Sequence, residues 1–427
     1  MISIYTLTSA LHDEKVVDRV TAEFLGGLGI DYSMKGSDFS TYGEDGLSLI
    51  YVRTGGTENI FKSVFGIVTA SRQPVYLLTS GKSNSLAASM EILSYLRGRG
   101  VAGEILHGSP EYVGARIERL LRIEKARRAI DGKRLGVIGR PSDWLISSAC
   151  DYDAVKKKTG IEIIDIPIDD LVDEIRTFRR AGGPHSWSDI DEYVNGTSTL
   201  SSDGDEADFT VAGQRRRVAD YCRDASVRDA VPGAMAVYHA LRHLVERYSL
   251  SGLTLRCFDL LGTVGNTGCL ALAKLNAEGV VSSCEGDIPA LLSMVIAQAL
   301  TGKTGFQSNP SRIDPQTGEM VFAHCTVPFN MLDDCAFDTH FESGIGVGIK
   351  GSVITGPATV FKVSGNLDRF FAAEGSIERN LDERDLCRTQ IVVKLASTDY
   401  FLNNPIGNHH IIVPGHHADV FSEFMRF

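Results

Sequence analysis

The sequence has no apolar run long enough to cross a bilayer, and its opening Met1-Ile-Ser-Ile-Tyr5 has no basic stretch followed by an apolar core. Neither a membrane span nor a secretory leader is expected. Cys-x-x-Cys pairs are missing as well: the eight cysteines stand apart at 150, 222, 257, 269, 284, 325, 335 and 387. Scattered cysteines read as reduced thiols, which points to the cytoplasm and away from structural zinc. There is no basic stripe, since 54 acidic residues outweigh 43 basic ones and leave a net charge of −11. Nucleic acid and membrane are therefore not expected partners. No period of repeat length is visible. Phosphate-binding motifs are lacking too: Gly262-Thr-Val-Gly-Asn-Thr-Gly268 is not Gly-x-Gly-x-x-Gly and has no Lys-Ser/Thr ending, and Gly136–Gly139 is weaker. Both read as tight α/β turns.

What is present is enough chain for more than one core. With 427 residues, 43% hydrophobic and 23% charged, two or three domains of about 100 to 200 residues are expected. Strand-like runs at Ile2–Leu7, Leu47–Val52 and Pro74–Thr79 alternate with helical patterns at Glu14–Leu28 and Ser85–Arg97. Such alternation predicts a doubly wound parallel sheet, a flavodoxin- or Rossmann-like α/β domain over 1–131. A second α/β domain is expected over 132–302, from the basic helix Ile117–Ile130 into strands Arg134–Ile138, Ile161–Ile166 and Leu253–Leu261. Within it, Gly182–Ala207 reads as a mobile loop or insertion, followed by helices at Gln214–Tyr221 and Ala234–Tyr248. The texture then changes. Val347–Ile354, Ala358–Val363 and Gln390–Leu395 are short β-like runs divided by glycines, which predicts a β-rich, barrel-like domain over 303–427.

Chemistry concentrates late in the chain. Glu285 lies in Ser-Ser-Cys-Glu-Gly-Asp, after a strand-like run and before a helix over Ile288–Leu300 that Asp287 can cap and Pro289 can open. It therefore falls at the carboxyl end of a strand, where open α/β sheets gather ligand groups. A strand over Met320–Ala323 delivers His324 and Cys325 to its end, and Gly407-Asn-His409-His410 precedes another. Carboxylate and imidazole without paired cysteines suit Mn²⁺, Fe²⁺, Co²⁺ or Mg²⁺ better than structural zinc. Each residue alone has a plainer role: a helix-start acid, a core histidine, a solvated His-His turn, small packing cysteines at 284 and 325. His340-Phe-Glu342 offers a polar pair near the site or, more plainly, a strand with alternating faces, and Asn84 reads as a helix cap.

Cys284-Glu-Gly-Asp287, Leu300-Thr-Gly302, His324-Cys-Thr-Val-Pro328 and the late Gly-Asn-His-His together resemble the L-fucose isomerase and L-arabinose isomerase family. Arg53–Thr57, Ser83–Leu86 and Pro141–Leu145 extend the likeness, more loosely, through the N-terminal half. The resemblance implies a metal-dependent aldose-ketose isomerase, most simply with Mn²⁺, working through an enediolate on a small-molecule sugar. It implies Glu285 as first ligand, His324 as an added imidazole and His410 as the late one, with His409 as the alternate. The second carboxylate falls 24 residues after Glu285, where this chain has Asn309. An amide oxygen still coordinates a hard cation but carries no charge and accepts no proton at neutral pH. That leaves Glu285 as the family-matching base and Asp287 or Asp314 as alternatives in sequence. The resemblance also implies His409, Asn84 and Trp144 as substrate contacts, and a homo-oligomer, trimer or hexamer. Because of Asn309, two further readings stand beside it: a carbohydrate-binding or regulatory relative without isomerase activity, and an isomerase for a sulfonated or branched sugar.

Overall fold

The computed structural model describes residues 1–71, 73–180, 209–211, 214–216, 221–222 and 225–426. They form two compact units, Met1–Arg128 with Arg426, and Ala129–Met425. The loop expected over Gly182–Ala207 lies outside the described residues.

The first unit is built on a parallel sheet of β1 (Ile2–Leu7), β2 (Ser33–Gly36), β3 (Leu47–Val52), β4 (Val75–Leu78) and β5 (Gly103–Leu106), in the order β2-β1-β3-β4-β5. Its central strands β1, β3 and β4 are buried along their whole length because both faces are covered. Leu49 and Tyr51 enter one core with Ile4 and Leu78, whereas Ile50 and Val52 enter the other with Leu7 and Leu77. The expected helices are found at Glu14–Gly27 and Ser85–Arg97.

The second unit opens on another parallel sheet. β6 (Arg134–Ile138), β7 (Glu162–Ile166), β10 (Gly252–Leu255) and β11 (Val281–Cys284) take the order β11-β10-β6-β7, while β8 (Phe209–Val211) and β9 (Gln214–Arg216) pair antiparallel by themselves. Two expectations are overturned here. Residues 214–216 are a strand rather than the start of a helix, because pairing with Phe209–Val211 satisfies their backbone groups. The strand expected over Leu253–Leu261 ends at Leu255, where Arg256 turns back onto Asp259 (Nε to Oδ1, 2.9 Å) and residues Asp259–Val264 become helical. The following helical pattern also starts early, at Ala225, and runs through Pro232.

A closed six-stranded barrel of antiparallel neighbours follows: β12 (Phe306–Asp314), β13 (Glu319–His324), β16 (Gly356–Val363), β17 (Phe370–Asn380), β18 (Thr389–Leu395) and β19 (His410–Pro414), ordered β12-β13-β18-β17-β16-β19. The hairpin β14 (Leu332–Asp338) and β15 (Gly348–Val353) stands beside it. One core joins the parallel sheet to the barrel: Leu253 and Leu255 belong to the same cluster as Phe306, Phe322, Val360, Val393 and Ile412. The strand expected to hold His340-Phe-Glu342 stops at Asp338. His340 instead begins a turn in which its Nδ1 meets the Ser343 hydroxyl at 3.0 Å. No helix among the described residues is long and apolar enough to cross a membrane.

Candidate metal centre

Three loops leave the carboxyl edge of the second sheet toward one place: the Trp144 loop after β6, the Phe258 turn after β10, and Glu285 after β11. Glu285 has φ 64° and Gly286 φ 68°, two successive left-handed residues. The turn is forced by close approach, since a Cβ on Gly286 would lie 2.5 Å from the Arg140 carbonyl. A glycine accepts that conformation freely, whereas at Glu285 it costs about 1–2 kcal/mol and marks a site that the surroundings hold in place. The Glu285 carbonyl accepts from Ser142 N at 3.0 Å, which ties two of the loops together.

The side chain of Glu285 is only 12% exposed and splits its two oxygens between different tasks. Oε2 accepts from the Trp144 indole N–H at 2.7 Å. Oε1 faces two imidazoles, His409 Nε2 at 3.4 Å and His324 Nε2 at 3.8 Å. One ligand atom from each of Glu285, His324 and His409 lies within 4.8 Å of the others, so the three could hold a metal ion. His324 closes β13, and His409 immediately precedes β19; β12, carrying Asn309, runs between those two strands.

Hydrogen bonding fixes which nitrogens face inward. His409 Nδ1 donates to Asp287 Oδ2 at 2.8 Å, and His324 Nδ1 is bonded to the Thr326 hydroxyl at 2.9 Å. The Nε2 of His409 is buried with no hydrogen-bond partner. An unpaired imidazole lone pair facing a carboxylate oxygen is repulsive unless a proton or a cation lies between them. Burial opposes charge on Glu285, yet the two imidazoles beside it hold its carboxyl far below the usual range. Burial likewise opposes charge on His409, but Asp287 and Glu285 raise it to about 9. Burial lowers His324. A carboxylate that stays ionised, with two imidazole Nε2 atoms turned toward it, makes a donor set suited to a divalent cation that displaces the His409 Nε2 proton.

His410 does not join this group. Strand alternation turns it to the opposite face, where its Nε2 accepts from the Tyr400 hydroxyl at 3.0 Å and its Nδ1 donates to the Asn408 carbonyl at 2.8 Å. Both nitrogens are consumed, so the late imidazole facing Glu285 is His409. Asp287 is engaged through both of its oxygens. It is fully buried, Oδ1 caps the helix Ile288–Thr301 through Ala290 N at 2.9 Å, and Oδ2 is taken by His409. Asp314 bonds Gln316 N in the β12–β13 turn, at the end of the hairpin away from His324. Asn309 is half-buried with its Oδ1 accepting from Asn408 at 3.2 Å. Cys284 turns to Cys257, Sγ to Sγ 3.1 Å. Asn84 belongs to the first unit, at a helix start with φ 59° and no side-chain cap bond.

Sequence reasoning missed two contributors. Lys362 sits on β16 with its ammonium 3.6 Å from Asp287 Oδ2, and its signal was a lone charge inside the apolar run Ala358–Val363. Thr326 left no signal, because a threonine two residues after a histidine is commonplace. Beyond them, His340 packs edge-on against Phe258, which packs edge-on against Trp144. Burial lowers His340 to about 4, while burial and then the Glu285 charge raise Glu342.

No protein-family model matches the chain. Among curated proteins it is similar to sulfoquinovose isomerases: 29% identical over 185 residues to that of Clostridium sp. (strain MSTE9), covering 40% of this chain and 38% of the relative. For Alkalicoccus urumqiensis the figures are 24% over 246 residues, 57% and 49%. For Priestia aryabhattai they are 23% over 326 residues, 74% and 66%. The chain thus spans between about two fifths and two thirds of the length of the curated relatives it matches. The likeness is to proteins named as sugar isomerases.

Proposed function

We propose that this protein is a divalent-cation-dependent aldose-ketose isomerase whose substrate is a sulfonated hexose of the sulfoquinovose type. The observation that carries the reading is the orphaned Nε2 of His409 facing Oε1 of Glu285, with His324 Nε2 beside it. The names of the relatives support the substrate class. Nitrogen and oxygen donors suit Mn²⁺. When bound, the cation supplies Lewis-acid polarisation of two adjacent sugar oxygens.

The chain's own residues do the rest. Glu285, held ionised, serves as a ligand and is a poor proton acceptor; Asn309 stands at the position of a further, neutral donor. Burial and then the Glu285 charge raise Glu342, a carboxylate outside the ligand set that could accept the proton moved between C1 and C2. Trp144 orients the Glu285 carboxylate, and half of its surface remains open to sugar. Neutral Asn309 leaves more of the cation's charge uncompensated, which favours an anionic substrate. All eight cysteines are free thiols, which supports a reducing compartment such as the cytoplasm. Assembly as a trimer or hexamer, with Asn84 meeting substrate, belongs to the same reading and is tested by light scattering.

The deciding experiment incubates purified protein, with Mn²⁺ or with chelator, against sulfoquinovose, L-fucose and L-arabinose. Mn²⁺-dependent ketose formation from sulfoquinovose is expected. Cation and sugar binding without turnover would favour the carbohydrate-binding reading that Asn309 suggests.

A further inference from the structure

Lys362 is 1% exposed, its Nζ has no hydrogen-bond partner, and a carboxylate oxygen of Asp287 stands 3.6 Å away. Removing an ammonium from water costs several kcal/mol unless an opposite charge compensates it, and a methionine or leucine would fill the same space in an apolar strand without that cost. The position is nonetheless firmly built. The neighbouring Val363 N donates to Ser293 Oγ at 3.0 Å, which pins β16 to the helix that Asp287 caps. Phe361 lies opposite Ile411 in the barrel ladder, so Lys362 comes level with His410 and the Gly407 turn. A Cβ on Gly407 would lie 3.9 Å from Nζ. Charged and polar groups thus follow one another in a line: Lys362, Asp287, His409, Glu285.

We propose that Lys362 is a positioning residue for the cation site, acting through Asp287 to hold the His409 ring with Nε2 turned toward Glu285. One Asp287 oxygen, Oδ2, lies 3.6 Å from the ammonium and receives the Nδ1–H of His409 at 2.8 Å, while the other, Oδ1, accepts from Ala290 N at 2.9 Å. A carboxylate tethered at two sides cannot rotate to bond elsewhere, and the ring it holds keeps one tautomer and one orientation. Partners that orient a ligand in this manner are worth about 10- to 100-fold in cation affinity. The inference rests on the proposed cation site and adds to it a residue remote from the ligands.

The test is a double-mutant cycle read by Mn²⁺ binding, with free Mn²⁺ followed by electron paramagnetic resonance and folding of each chelated variant followed by circular dichroism. Wild type, Lys362→Met, Asp287→Asn and the double variant are compared. Lys362→Met is expected to weaken Mn²⁺ binding about 10- to 100-fold, and the double variant to be no weaker than the weaker single one, because the lysine acts through the aspartate. Wild-type affinity in folded Lys362→Met, or single effects that multiply in the double variant, would overturn the positioning role. If Lys362→Met does not fold, Lys362→Gln takes its place with the same two deciding outcomes. Absence of Mn²⁺ binding by the wild type would instead remove the cation site itself, a result separate from any behaviour of Lys362.

Discussion

His409 and His410 are adjacent in sequence, both buried, and live in opposite chemical worlds. His409 stands between two carboxylates, which raise it to about 9 against the cost of burial. His410 enters the barrel among Tyr400, Phe401 and Phe371, where burial and the Lys362 charge lower it to about 3. The start of β19 thus turns one imidazole toward Glu285 and the next, neutral and hydrogen-bonded, the other way. The difference teaches that the residue type sets what a position can do, and the face it occupies sets what it does.

The largest expected effect separates the two directly. His409→Gln should weaken Mn²⁺ binding by at least about 100-fold, about 2.7 kcal/mol, in an equilibrium titration. His410→Gln should leave that affinity within about threefold of wild type. Equal losses in both would break the comparison and return His410 to the ligand set.

His410→Ala tests the other face. Removing the ring deprives the Tyr400 hydroxyl of its acceptor and opens a cavity among aromatics, so urea denaturation should show about 2–3 kcal/mol less stability, with Mn²⁺ affinity retained.

The pH dependence of chelated protein should have opposite signs at the two sites. His409 is raised in the folded state, so its contribution is full below the unfolded value near 6.5 and is lost as pH rises through about 9. His410 is lowered, so its contribution is full above 6.5 and is lost as pH falls toward about 3. Thermal melts should therefore show His409→Gln flattening the alkaline limb and His410→Gln the acid limb, each by up to about 1.4 kcal/mol per pH unit. The same limb flattened by both variants would contradict the assignment.

Two smaller changes sharpen the site face. Asn309→Asp adds a negative donor on the strand between the two histidine-bearing strands, and should tighten Mn²⁺ by about tenfold while lowering turnover of a sulfonated sugar. Unchanged affinity would place Asn309 outside the cation's reach. Trp144→Phe keeps the edge-on packing with Phe258 but removes the hydrogen bond to Glu285 Oε2, and should cost about three- to fivefold in affinity, near 1 kcal/mol.

Much of this was legible before any coordinates. Continuous apolar strands alternating with helices announced parallel sheets, and glycine-divided β runs announced the barrel, because burial on both faces or on one leaves a period in the sequence. Errors came where a local bend or a backbone partner overrides period: Arg256 bending the chain onto Asp259, and residues 214–216 finding a strand partner. Asp287 was legible as a cap, since capping is local, but its second oxygen's attachment to His409 spans 122 residues.

By itself, the sequence determined the candidate donors: Glu285 at a strand end, His324 at another, and a pair of histidines late in the chain. Those are matters of residue chemistry and of short-range pattern. Only the tertiary structure turned His409 rather than His410 toward Glu285, bonded Asp287 to His409, and brought Lys362 beside Asp287. Each of those choices depends on which face a strand turns inward and on what it meets there, and barrel closure fixes both through hydrogen bonds between residues far apart in the chain.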